Sequence, residues 1–287
     1  MQYVKPQSAT EAANLLVSAA GQARILAGGT DLLVQMKSGM IAPETIIDIK
    51  HLDGVNDITP EDGGYRIGAA VSGQRLGDHA GVVAAWPGVV EAFELIGSTQ
   101  VQGRCTMAGN LCNGSPAADS VPAMIAAGAI ARIAGPDGTR DCPVEDIPTA
   151  PGKTSLAAGE FITSIFLPAR PANASDAYLR FIPRTEMDIA VASAGVNLEV
   201  GKDGKISAAR IALGAVGPKI VLVPDAAAAL IGTALDDTAQ DALATAARAA
   251  CAPIDDKRGT VEFRTQVAGV LAKRAALIAY SRATGEK

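Results

Sequence analysis

Arg24-Ile25-Leu26-Ala27-Gly28-Gly29-Thr30-Asp31-Leu32 is the stretch whose reading decides the fold. Arg24 to Ala27 reads as a short strand, Gly28-Gly29 turns it, and Thr30-Asp31 can cap a helix from Leu32 to Lys37, with Gly39 just past its end. Strand, glycine turn and helix follow one another directly. The two glycines remove Cβ atoms that would hold a ligand off the backbone. A nest of amides at a helix N-terminus attracts an anion, with the dipole adding ~0.3–2 kcal/mol per charge, and phosphate is its natural guest. No Gly-Lys-Ser/Thr follows, so this is not a Walker loop, and it is not the dinucleotide GxGxxG. A Gly-Gly turn after a strand also occurs for structural reasons alone, and both readings stand on these residues.

Upstream, Ser8 or Thr10 can cap an amphipathic helix that Gly21 ends. Downstream, Ile46 to Ile49 is a strand, Asp62-Gly63-Gly64 turns a hairpin into Tyr65–Gly68, and Trp86 to Ile96 is helical. Gly97 to Asp119 has no periodicity and reads as a long ordered loop. It contains a second small-residue cluster, Thr106-Met107-Ala108-Gly109-Asn110, running on to Ser115-Pro116-Ala117-Ala118-Asp119. Backbone donors and hydroxyls suit a pyrophosphate, whereas Asp119 suits a sugar hydroxyl or an adenine amino group. The two clusters together look like a dinucleotide cradle; two unrelated tight loops would have the same composition.

A helix from Ser120 to Ala127 and strands at Ile130–Ala134 and Phe161–Phe166 complete the first unit. The polar, proline-flanked stretch around residues 168–177 reads as a linker, so the domain boundary is placed at 171/172, with subdomains of about 1–55 and 56–171 in the first unit. The second unit, 172–287, shows a strand hairpin around Lys202-Asp203-Gly204-Lys205, then helices at Asp225–Ile231, Asp237–Ala250 and Thr260–Ser281. The architecture is α+β.

Composition limits the chemistry. The 287 residues are more than one ordinary domain of ~100–150 needs. Hydrophobic residues at 48% and charged ones at 19% exclude a disordered chain. A net charge of −5 with no basic run argues against nucleic acid. No apolar stretch approaches the ~20 residues of a membrane span, and the N-terminus lacks the pattern of an export signal, so a cytoplasmic protein is expected. Cys105, Cys112, Cys142 and Cys251 have no metal-ligand spacing, and His51 and His79 lie in no catalytic motif. With no side-chain constellation for catalysis, the hard chemistry belongs to a bound cofactor.

Ile25 to Leu32, Thr106 to Leu111 and Ser115 to Asp119 closely resemble the two FAD-binding motifs of the flavoprotein (medium) subunit of molybdenum hydroxylases, the carbon monoxide dehydrogenase and xanthine dehydrogenase type. The resemblance continues through Tyr178–Phe181, Met187–Ala190 and Pro253–Gly259, nearly the whole chain. It implies a two-subdomain FAD-binding fold of the vanillyl-alcohol-oxidase (PCMH) type plus a C-terminal α+β domain. It further implies that Leu26, Ala27, Gly28, Gly29, Thr30, Asp31, Thr106, Met107, Ala108, Gly109 and Asn110 wrap the FAD diphosphate and its neighbouring sugars. Ser115 and Asp119 would be polar anchors, Ile162 would lie near the flavin or adenine, and Arg180 would stand where the family often has Lys near the isoalloxazine. Ala108 replaces the commoner Gly. The implied role is an oxidoreductase subunit that passes electrons from the [2Fe-2S] clusters of a small subunit, itself fed by a molybdopterin-containing large subunit, through FAD to a terminal acceptor. The complex would be a dimer of heterotrimers. The alternative is a self-sufficient FAD oxidoreductase of related fold, acting on a small molecule as muramate reductases do.

Overall fold

The computed structural model describes residues 1–285. Gln2–Val4 (β1), Ala23–Leu26 (β2) and Thr45–Asp48 (β3) form a parallel sheet in the order β1-β3-β2. Parallel neighbours need crossovers, supplied here by the helices Ala9–Ser18 (α1) and Leu32–Lys37 (α2). The Ser8 hydroxyl accepts the Glu11 amide at 3.1 Å and starts α1. Ile46 and Ile47 are buried because β3 is the central strand.

With Ile130–Gly135 as β6, Gly138–Pro143 as β7 and Phe161–Leu167 as β10, the hairpin Ile58–Glu61 (β4) and Gly64–Gly68 (β5) opens an antiparallel sheet in the order β4-β5-β10-β6-β7. Between β5 and β6 lie Gly73–Gly77 (α3), Ala80–Ala85 (α4), Pro87–Glu94 (α5), Thr99–Gln102 (α6), Met107–Cys112 (α7) and Ser120–Ala126 (α8). Ile130–Gly135 (β6) and Gly138–Pro143 (β7) form a second hairpin, Pro148–Ala150 (β8) and Lys153–Thr154 (β9) a small two-stranded one, and Phe161–Leu167 (β10) returns to the centre.

Ala174–Phe181 (β11), Ala192–Val200 (β12), Ile206–Gly214 (β13) and Val221–Leu222 (β14) make a third, antiparallel sheet. Pro224–Ala228 (α9), Asp237–Ala249 (α10) and Val261–Thr284 (α11) follow, and α11 lies along β11 and β12. One core runs from Ala12 to Leu167 and takes in Tyr178, Ala212 and Ile220; the other runs from Ala177 to Ala279.

Two local readings change. The long loop from Gly97 to Asp119 contains α6 and α7, both too short to show a helical repeat. The polar stretch taken for a linker enters β11, and its Ser175 and Asp176 are buried. Period-two alternation explains this: Ala177 and Leu179 meet the C-terminal core, so Asp176, Tyr178 and Arg180 take the opposite face, toward the N-terminal unit. Arg282, near the end of α11, bonds Glu91 and the Asp176 carbonyl and so ties that helix to the N-terminal unit.

Candidate cofactor site

The loop between β2 and α2 and the loop ahead of α7 face each other across a cleft of about 710 Å³. Ala27, Gly28, Gly29, Thr30 and Asp31 line one side, Thr106, Ala108, Gly109 and Asn110 the other, and Ile162 of β10 belongs to the same wall. The sequence reading therefore places most of its chosen residues on one surface.

The glycines act differently from expectation. A Cβ on Gly28 would lie 2.0 Å from the carbonyl oxygen of Arg104, so the space it leaves is filled by the backbone of the second loop. Gly28 brings the loops together rather than clearing room for a ligand. Gly29 has φ +81°, the left-handed region that L side chains avoid. Gly29→Ala should therefore cost ~1–2 kcal/mol and weaken rather than abolish cofactor uptake, read as the urea midpoint and the retained cofactor absorbance; wild-type values for both would contradict this.

Asp31 stands at the N-cap of α2 without a capping side-chain bond. Its carboxylate instead accepts Asn113 Nδ2 at 3.2 Å, while Gln35 Nε2 donates to Asn113 Oδ1 at 3.1 Å, tying α2 to the end of α7. In the second loop the Thr106 hydroxyl accepts the Gly109 amide at 3.0 Å. Asn110 Oδ1 accepts the Ser120 hydroxyl at 2.6 Å. Among the described residues, the amides of Gly28, Gly29, Thr30 and Ala108 make no backbone hydrogen bond, whereas Thr106 pairs with Ser72 in an antiparallel bridge that engages the Met107 amide. Free donors on facing loops suit a bridging dianion such as a pyrophosphate. Because α2 and α7 have only six residues each, these hydrogen bonds outweigh any helix dipole.

Other predicted residues lie behind the wall. Leu26 and Met107 are core residues, and the Ser115 hydroxyl accepts the Ala117 amide at 3.2 Å. Asp119 receives Arg180 Nη1 at 2.6 Å and the Tyr178 hydroxyl at 2.9 Å. Burial pushes the Asp119 carboxyl up to about 6, against the opposing pull of Arg180 and Tyr178. Sequence reasoning missed Gln35, Asn113 and Phe161 in the cleft, which carry no motif of their own. His79 caps α4 by accepting the Val82 amide at Nδ1.

The family described as "FAD binding domain in molybdopterin dehydrogenase" matches residues 1–170. The chain belongs to that family. A second family, "CO dehydrogenase flavoprotein C-terminal domain", matches residues 177–279. The chain is 34% identical over 281 residues to the carbon monoxide dehydrogenase medium chain of Afipia carboxidovorans, covering 98% of this chain and 97% of that one. It is 28% identical over 286 residues to the xanthine dehydrogenase FAD-binding subunit of Escherichia coli O157:H7, covering 99% and 97%. A solved structure titled "Reconstituted CO dehydrogenase from Oligotropha carboxidovorans" superposes with a TM-score of 0.94 at 33% identity, covering 98% of both chains. This family member is an FAD-binding subunit of an oxidoreductase of the molybdenum hydroxylase class, with an FAD-binding domain followed by a C-terminal domain. Among the described residues no helix is long and apolar enough to cross a membrane.

Proposed function

We propose that the chain is the electron-transfer subunit of a molybdenum-containing hydroxylase, receiving electrons from the [2Fe-2S] clusters of a small subunit and passing them to a terminal acceptor. A molybdopterin-containing large subunit would complete the complex, a dimer of heterotrimers. The carrying observation is the pair of loops with acceptor-free amides, held face to face by the Gly28–Arg104 approach.

In this reading Ala27–Asp31 and Thr106–Asn110 hold the FAD diphosphate and adjoining sugars, backed by Leu26 and Met107. Ile162 supplies an apolar contact for a ring. Ser115, Asp119 and Arg180 act from behind the wall. FAD held in the cleft supplies chemistry that accepts electrons singly and releases them in pairs. The protein's task is to bind and orient it and to shield it from water. Residues 1–171 are the cofactor unit and 172–287 the unit that closes it. Four free thiols fit a cytoplasmic location.

Native purification with a visible spectrum, metal analysis and subunit masses tests this. The expected result is a yellow-brown complex with iron, molybdenum and three kinds of chain. A solitary yellow protein that turns over a small substrate would favour the self-sufficient oxidoreductase instead.

A further inference from the structure

Tyr178 belongs to the C-terminal sheet by chain position, yet its ring is buried in the N-terminal core at 2% exposure. Its hydroxyl donates to Asp119 Oδ1, and Arg180, two residues on, donates to Oδ2. Arg180 Nε is buried with no acceptor among the described residues, and Asp119 is held by the phenol and the guanidinium together, one on each carboxylate oxygen. Asp119 directly precedes Ser120, whose hydroxyl and amide both go to Asn110 Oδ1, and Asn110 lines the cleft. On the same segment the Pro116 carbonyl accepts the Ala215 amide of the C-terminal unit at 2.7 Å. Residues 115–120 thus span from the C-terminal sheet to the second cofactor loop.

We infer that Tyr178 is a positioning residue for the cofactor: from β11 it holds Asp119, and through Ser120 and Asn110 it sets the second loop against the first. This inference rests on the FAD reading of the cleft. Tyr178 does not line the cleft and acts by raising the fraction of molecules whose loop is in place, which sets the apparent affinity.

The arrangement has a pH signature. The ionisable groups facing Asp119 are Arg180 and Tyr178, both from β11; Asn110 of α7 and Ser120 of α8 are neutral. Asp119 titrates at about 6 in the closed segment, above the ~3.9 of a solvated Asp. A raised value in the closed form means that proton binding favours closure. That contribution is complete at low pH and is lost as pH rises through about 6. Apparent FAD affinity should therefore fall toward pH 6 and level off above it. Removing the phenol takes away a bond to the ionised carboxylate, which raises the Asp119 value further.

The test is the FAD dissociation constant of the full chain from pH 5 to 7.5. Tyr178→Phe is expected to weaken binding about tenfold at pH 7.5, the lower end for a bond to a charged group, and to move the levelling-off to higher pH. An unchanged affinity with an unmoved profile would make Tyr178 a packing residue and overturn the inference. Asp119→Asn keeps the shape of the segment and should remove the pH slope; a slope that persists also overturns it. Wild-type protein that binds no FAD at any pH defeats the FAD reading itself, a result distinct from a bound flavin indifferent to Tyr178.

Discussion

Gly28→Ala should abolish FAD binding by the full chain, with no retained flavin absorbance after gel filtration in excess cofactor. The added methyl would meet the Arg104 carbonyl oxygen at 2.0 Å and its carbon at 2.9 Å. Both belong to backbone, so no rotamer change relieves the contact. The second loop must move outward, and Thr106, Ala108 and Gly109 move with it. Overpacking against a rigid neighbour costs ~1–3 kcal/mol or more, and the larger loss is geometric, because in the proposed cradle amides from both loops would meet one diphosphate. The comparison with Gly29→Ala is informative, since the nearest neighbours there are the Leu26 and Leu33 side chains, which can shift. If Gly28→Ala keeps wild-type flavin content, the loops do not act as one cradle.

Asp176→Ala should be the most destabilising single change at the junction of the two units, lowering stability by ~3–5 kcal/mol. Asp176 is 2% exposed. Its Oδ2 accepts the Val89 amide at 3.0 Å in the first turn of α5, and its Oδ1 pairs with Arg170 at 2.7 Å. Arg170 in turn lies over the buried Trp86 ring, 4.9 Å from its centroid. Removing the carboxylate leaves a cation with 10% side-chain exposure and a helix amide without partners. Burial, opposed chiefly by Arg170, pushes the Asp176 carboxyl up to about 6. Its contribution to stability is then greatest in acid and is lost as pH rises through that value. Asp176→Asn should flatten the stability profile between about pH 4 and 6, whatever its effect on the absolute value. Urea unfolding of the full chain at several pH values measures both, and a midpoint for Asp176→Ala within error of wild type would contradict the assignment.

Much of the candidate site was legible because its residues are local. The turn Ala27–Asp31 and the run Thr106–Asn110 each occupy a few consecutive positions, and strand-to-helix order can be read from hydrophobic period and punctuation. The parts that were misread depend on distant partners. Polarity at Ser175 and Asp176 looked like a solvated linker, since a strand whose polar face meets another unit has the same composition as one facing water. Asp119 was read as a polar anchor and Arg180 as a neighbour of the isoalloxazine, and what joins them is a charge pair between residues far apart in the chain. Asn113 and Gln35 gave no signal, because a carboxamide bridge between two loops leaves no pattern in either.

The amino-acid sequence by itself determined the α+β class, the two glycine loops, the family and its flavin, since period, turn chemistry and motif order are local properties of the chain. Only the tertiary structure decided why Gly28 must be glycine, where Asp119 spends its charge, and that Tyr178 reaches from one unit into the core of the other. Each of these depends on which backbone or side chain arrives opposite a given residue, and that is set by the packing of the sheets and helices as a whole.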